Sequence, residues 1–413
     1  MNDTPPDYDV AIIGGGMVGA SLALALGATP LRILVVEAFA PDSAAQPSFD
    51  ERTSALGNGS RRVFEALGLW DRLAPDASQI RRIHVSDAGR FGFARLDAAD
   101  FDQQALGYVV PNRVIGRELW AALREAARVE VQMPARVARV ALTSQAARID
   151  IASATGERSV SARLVVAADG AQSLVREAAG IGARRDDYAQ TAVITSLRSD
   201  LPDDGTAYER FTAAGPMALL PLKLPLAGHW RALVWAAAPA QADALLALED
   251  AAFMTQWQAA FGWRAGRALQ IGRRAAYPLS LVRAEAATAS RAVLLGNASQ
   301  SLHPVAGQGF NLGLRDAAEL AELLADAATR GADVGAPELL ALFASRRQAD
   351  RDGVVRFTDG LVRSFSDRRA GVGLLRNAGL LLFDMLPPAK RALSRVSFGF
   401  GGRSPRLARG LPL

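Results

Sequence analysis

Near the start of the chain, two short apolar runs flank a glycine-rich turn. Tyr8 to Ile13 predicts a buried strand, and Arg32 to Glu37 predicts a second that ends in an acid. Between them, Met17 to Leu26 is apolar and alanine-rich, the pattern of a helix packed on a sheet. Strand, turn, helix and strand in that order predict a parallel sheet. Residues 40–60 are rich in Pro, Ser, Asp and Gly and predict a loop before a helix over Arg61–Leu67. A helix is expected over Gly116–Ala127. Val137–Leu142 and Ala147–Ala152 alternate as a hairpin would, and Leu164–Ala168 reads as a third buried strand.

From Tyr188 the texture changes. Val193–Leu197, Ala207–Phe211, Met217–Pro221, Trp230–Trp235 and Arg273–Leu279 read as strands separated by turns, broken by one helical segment over Ala242–Phe261. This predicts an antiparallel sheet in a separate domain. Ala292–Leu295 returns to the parallel sheet, and helices follow over Leu312–Ala327 and Pro337–Phe357. The expected fold is α/β. Residues 1–75, 101–185 and 286–345 form a discontinuous nucleotide domain. Residues 76–100 and 186–285 form an inserted antiparallel substrate domain, and 346–413 a helical tail.

Three glycine-bearing elements carry the chemistry. Gly14, Gly16 and Gly19 fit G-x-G-x-x-G: the first permits the tight turn, the second lets backbone approach a pyrophosphate, and the third allows close helix–strand packing. Glu37 stands where an acid accepts hydrogen bonds from ribose hydroxyls. Asp169-Gly170 follows a buried strand, with Ser173 opening a helix. Gly296-Asn297 leads into His303, Pro304, Gly307, Gly309 and Asn311.

Composition narrows the classes. The chain has 413 residues, enough for two domains, and half are apolar. It has no cysteine, which excludes disulfides, thiolate nucleophiles and zinc–sulfur sites. The histidines His84, His229 and His303 are too scattered for a metal cluster, so no metal is expected. Lys223 and Lys390 are the lysines; the other basic residues are arginines, and the formal net charge is only +5. No concentrated basic stripe argues for nucleic acid. No signal-peptide pattern opens the chain and no apolar run approaches bilayer length, so a cytoplasmic location is expected.

The three elements together resemble the fingerprints of the FAD-dependent aromatic hydroxylases, the para-hydroxybenzoate hydroxylase-like flavoprotein monooxygenases, and the resemblance spans nearly the whole chain. It implies a Rossmann-like FAD-binding domain, and FAD contacts at Gly14, Gly16, Gly19, Glu37, Asp169, Gly170, Gly296, Asn297, Pro304, Gly307, Gly309 and Asn311. Asn297 stands where the family usually has aspartate. Arg52, within Asp50-Glu51-Arg52-Thr53-Ser54, resembles the family arginine that lies over the cofactor, and Asn112 matches a polar cofactor contact. The chemistry implied is the cofactor's: reduced flavin meets oxygen, a C4a-hydroperoxide forms, and a phenol ring attacks it. NAD(P)H would be a transient co-substrate, since no second glycine turn builds a domain for it.

His84-Val85-Ser86-Asp87, Tyr208-Glu209-Arg210-Phe211-Thr212 and Gly307-Gln308-Gly309 are similar to the ubiquinone-biosynthesis hydroxylases, nearest the branch acting on 2-polyprenyl-6-methoxyphenol. A polyprenylated phenol and O2 are then the implied substrates, other ubiquinone-biosynthesis proteins the implied partners, and Phe211, Leu220 and Pro221 the border of an apolar pocket. His303 is the candidate general base; its alternative is to shape the loop while Pro304 abuts the flavin. A prenyl-chain reductase and a non-catalytic component of a quinone-synthesis complex are the alternative functions. From Leu361 onward Arg363, Arg368, Arg369, Arg376, Lys390, Arg391, Arg395, Arg403, Arg406 and Arg409 face only Asp367 and Asp384. Leucines are interleaved. Such a basic, apolar segment can lie at an anionic membrane surface, on the inner face; its alternative is to pack on the nucleotide domain with its arginines solvated.

Overall fold

The computed structural model describes residues 5–413 apart from 42, 44–45, 47, 213, 305–306, 367–369, 387, 389 and 391–402. At its centre lies the strand Tyr8–Ile13, parallel to Ile33–Val36 on one side and to Gly156–Ala167 on the other. Val129–Gln132 and Ala292–Leu294 extend the sheet outward in parallel. Strand alternation sends neighbouring residues to opposite faces. Val10 and Ile12 join a core with the Met17–Gly27 and Gln308–Thr329 helices, whereas Ala11 and Ile13 join a second core with the Ala135–Leu142 and Ala147–Ser153 hairpin. A strand buried on both faces has to be apolar throughout, which is why this one reads as an unbroken run.

A second sheet of nine strands runs Gln300–Ser301, Ala275–Ala284, Ala183–Ser199, His229–Ala237, Gly215–Leu222, Thr206–Thr212, Arg82–Asp87 and Phe93–Asp97, with Ala268–Ile271 at its side. Val193, Met217, Leu219, Leu233 and Trp235 point to one face, under Phe253 and Trp257. The other face carries Ala192, Ile194, Val234 and Ala236. The expected α/β architecture with parallel and antiparallel sheets is present.

Three local expectations change. Thr53–Gly57 is a strand rather than loop, and the following helix starts at Asn58, ahead of Arg61. Thr53–Gly57 pairs with Gly107–Pro111, a partner distant in sequence that no local pattern discloses. The helix expected over Ala242–Phe261 is two, Pro239–Ala247 and Asp250–Phe261, because Leu248 and Glu249 are extended. The buried strand before Asp169 is longer than its apolar core, since its exposed start Gly156–Ser159 is held by pairing with Ala147–Ser153.

Behind the parallel sheet, the Gln308–Thr329 helix is joined to the Pro337–Ser366 helix by a buried ion cluster. Arg347 reaches Asp316 at 2.6 Å and Asp350 at 2.5 Å, Arg315 reaches Asp350 at 2.8 Å, and Arg351 reaches Asp316 at 3.1 Å. The two flanking aspartates raise the Arg347 guanidinium against its burial. A final helix, Ala370–Met385, lies along the edge strand Phe93–Asp97.

Candidate active site

All three glycine elements meet at the start of the Met17 helix. Gly14 has φ +103°, and a Cβ there would sit 2.3 Å from the Ala168 carbonyl oxygen. A Cβ on Gly19 would sit 2.0 Å from the Gly14 oxygen, so strand and helix close as the spacing requires. Val18, one residue earlier, fills the space beside Gly296 and Gly313: their Cβ positions lie 3.3 and 3.0 Å from its Cγ2. Residues near 14, 169 and 296 thus share one locus. The first intrahelical bond, Ala20 N–H to the Gly16 oxygen, leaves the N–H groups of Met17, Val18 and Gly19 pointing out of the helix start.

Glu37 is buried beside this turn. Its carboxylate accepts from Gly15 N–H at 2.6 Å and from Phe39 N–H at 2.9 Å. It therefore clamps the turn; Gln46 Nε2 donates to the Phe39-bound oxygen at 3.4 Å, and the oxygen bound to Gly15 keeps a further lone pair. Asp169 accepts from Val175 N–H at 3.4 Å through one oxygen, while its Oδ1 is buried with no hydrogen-bond partner among the described residues. Burial raises this carboxyl against the donors around it. Gly170 has φ +87°, and Asn297 is exposed in the short turn Gly296–Ala298.

The loop before the Gln308 helix is set by Gly307, with φ +59°, while a Cβ on Gly309 would meet open space. The Asn311 side chain is bound within the protein. Its Oδ1 accepts from Gly57 N–H at 2.8 Å and Ser60 Oγ at 2.6 Å, and its Nδ2 donates to the carbonyls of Ala55 and Gly307 at 2.7 and 2.8 Å. Every hydrogen-bonding position of this amide is used. It staples the loop to the strand Thr53–Gly57. Asn112 is committed in part in the same way: its Oδ1 accepts from Ser54 Oγ at 2.8 Å, and its N–H bonds the Arg52 carbonyl.

Arg52 is held from both sides. Asp50 accepts from its Nε at 2.8 Å, its guanidinium lies 4.6 Å from the Tyr277 ring centre, and the Tyr277 hydroxyl donates to Asp50 at 2.7 Å. Burial and then this carboxylate raise the Tyr277 hydroxyl. Tyr277 belongs to the antiparallel sheet, so the triad ties that sheet to the segment before Thr53. The sequence reading missed Tyr277, as it missed Gln190 and the alanine face. The i, i+2 spacing of Ala232, Val234 and Ala236 is the signal that was there.

His303 is buried. Its Nε2 lies 3.2 Å from Gln190 Oε1, and the Tyr188 ring meets it edge-on at 5.1 Å. Burial lowers its pKa to about 4. A base with so low a pKa has little driving force to take a phenol proton near neutrality, and its contact with Gln190 orients the ring. The contacts with Gln190 and Tyr188 support the loop-shaping alternative.

Phe211 packs with Val85, Tyr188 and Leu361, and Leu220 with Ala55 and Phe383. Register places both on the same sheet face: Phe211 opposes Pro216, and Leu220 lies four residues beyond Pro216 on the same strand, opposite Ala232. Pro221 alternates to the other face with Leu219 and does not border the same space.

In the tail, several of the basic residues are paired within the fold. Arg376 is paired to Asp87 at 2.6 Å and Lys390 to Asp384 at 2.8 Å. Arg403 and Arg406 bond Glu322, and Arg406 also Asp326, while Leu407 and Ala408 enter the main core. Arg368, Arg369, Arg391 and Arg395 lie outside the described residues, as do the side chains of Arg363, Leu374 and Leu375. No helix among the described residues is long and apolar enough to cross a membrane.

Residues 7–358 match the family model described as "FAD binding domain". The ubiquinone hydroxylase UbiL of Rhodospirillum rubrum is 37% identical over 410 residues, covering 98% of this chain and 93% of that protein. This chain belongs to the FAD-dependent ubiquinone-biosynthesis hydroxylase family. The 3-demethoxyubiquinol 3-hydroxylase of Escherichia coli is 30% identical over 397 residues, covering 95% and 98%. Among solved structures, p-nitrophenol 4-monooxygenase PnpA from Pseudomonas putida DLL-E4 shares the fold, with a TM-score of 0.79 over 96% of this chain and 98% of that one, at 20% identity. FAD is the cofactor of these flavoprotein monooxygenases, and this chain is an enzyme of that class.

Proposed function

We propose that the chain hydroxylates the ring of a polyprenylated methoxyphenol, using NAD(P)H and O2. One oxygen atom replaces a ring hydrogen, and the other leaves as water with the two electrons of NAD(P)H. The observation that carries this reading is the convergence of three glycine elements on one helix start, in a chain whose second sheet carries a face of small apolar residues. Bound FAD supplies the oxygen chemistry, and the protein's task is placement and dryness.

The residues suit that cofactor. Gly14, Gly16 and Gly19 leave backbone N–H groups and a helix dipole for the pyrophosphate, and a Cβ on Gly16 would come 2.9 Å from Ser48 Oγ. Glu37 is the ribose acceptor. The unpartnered Asp169 Oδ1 can accept from a bound hydroxyl, with Gly170 allowing close approach. Gly296 and Asn297 take the ribityl chain, and Arg52, positioned by Asn112, lies over the cofactor. Pro304, Gly307 and Gly309 face the ring, held by Asn311 and His303. Phe211, Leu220 and the alanines of the sheet line the substrate space. The nucleotide and substrate regions follow the domain division stated for the sequence.

Oxygen gas of heavy isotope decides the reaction. The expected product is heavier than the phenol by one labelled oxygen. A product that instead gains two hydrogens identifies a prenyl-chain reductase and ends this reading.

A further inference from the structure

A groove of about 430 Å³ lies between the Pro337–Ser366 and Ala370–Met385 helices. Its walls are largely hydrocarbon: Phe357, Leu361 and Leu380, with Gly360 and Gly379. Neither glycine has a positive φ, and a Cβ on either would meet no atom within 4 Å. Glycine inside a helix lowers helix stability relative to alanine. Here no backbone conformation and no close neighbour requires it, and what each glycine preserves is open space.

The groove has two distinct ends. At the inner end, Leu361 packs on Phe211. Arg376 flanks this end: it bridges to Asp87 at 2.6 Å, the residue that pairs with Phe211 in the sheet, and donates to the Ser364 carbonyl at 2.8 Å. At the outer end, Gly379 shares a helical stripe with Leu382 and Leu386. Leu382, Met385 and Leu386 are 59%, 76% and 43% exposed. Apolar side chains therefore follow one another from Phe211 on the sheet, through Leu361 and the groove, to an apolar surface stripe.

We propose that this groove binds the isoprenoid tail of the substrate, with the ring beyond Phe211 and the distal isoprene units along Gly379 toward Leu382. The inference rests on the phenol-hydroxylase reading above and adds the place where the tail lies. A flexible, uncharged hydrocarbon suits such walls, because its burial needs no polar partner and gains in proportion to area.

The test introduces side chains where the glycines leave room. Gly360→Leu and Gly379→Leu, on separate helices, are compared with Gly353→Leu, a glycine of the same long helix whose Cβ also meets nothing but which does not line the groove. Each FAD-loaded enzyme is given two methoxyphenols, one with a single isoprene unit and one with a long polyprenyl tail, in mixed micelles. Binding of a polyprenyl alcohol, which has the tail and no ring, is measured separately. Either groove variant is expected to lose roughly tenfold or more in kcat/KM for the long-tailed phenol and in affinity for the alcohol, the loss that displacing even one or two isoprene units implies. Turnover of the short phenol and the behaviour of Gly353→Leu stay as in wild type. Equal effects on long and short phenols, or none on either, overturn the tail site while leaving ring hydroxylation standing. Alcohol binding that is lost in the groove variants, in an enzyme that oxygenates neither phenol, supports the groove and ends the hydroxylation reading.

Discussion

At the scale of single residues, the site depends on where side chains are absent. Gly14 and Gly19 are fixed by backbone contacts that no Cβ can share. Gly16 differs: its Cβ would meet only Ser48, so a larger residue there is a test of ligand space more than of folding. Gly16→Val is expected to fold and to purify with little or no bound FAD, read as the ratio of flavin to protein absorbance. A fully yellow Gly16→Val protein would count against this phosphate site. Asn311 shows the opposite case, a polar side chain in a motif whose four bonds all go to neighbouring protein. The side chain is a staple, which leaves the loop's backbone N–H groups as its means of meeting a cofactor.

At the scale of elements, the tail divides into two parts with different work. The end of the chain is structural: Leu407 and Ala408 are buried, and Arg403 and Arg406 satisfy the buried Glu322. Removing residues 388–413 would leave that carboxylate without those partners and open the core, so loss of vesicle binding after such a deletion would report unfolding. The helix Ala370–Met385 is the part with an exposed apolar stripe, and we assign any membrane contact to it. Met385→Asp, at an exposed position, is expected to lower flotation with anionic vesicles and to leave FAD content and thermal stability unchanged. Flotation equal to wild type removes this helix from the docking surface.

At the scale of the whole molecule, two histidines in different parts of the structure couple folding to pH. Burial lowers His303 to about 4, and burial with Arg264, Arg95 and Arg210 lowers His84 to about 4. Both are below the ordinary value of 6.5. The folded state therefore disfavours the proton that the unfolded chain accepts. The stability from each neutral histidine is complete above pH 6.5 and is lost as pH falls from there toward 4, with a slope approaching about 1.4 kcal/mol per pH unit for each. Urea midpoints should fall between about pH 7 and 5, and His303→Gln should show a shallower fall than wild type. Identical pH slopes for the two proteins would mean that His303 titrates normally in the fold.

Much of this was legible in the sequence. The strand Tyr8–Ile13, the Met17 helix, the return of Ala292–Leu294 to the parallel sheet and the antiparallel strands beyond Tyr188 follow from local periodicity, because burial on one face or two leaves its mark on consecutive residues. The glycine spacing also determined the helix start, since it encodes backbone geometry. What tertiary structure alone decided was which distant groups share bonds. Thr53–Gly57 became a strand only by pairing with Gly107–Pro111. Tyr277 joined Arg52 across 225 positions of chain, His303 found Gln190, and Arg403 found Glu322. Pro221 and Leu220 parted because register, not proximity, sets the face of a strand. A sequence records what each residue needs from its neighbours along the chain; hydrogen-bond capacity is spent in three dimensions, and only there can it be counted.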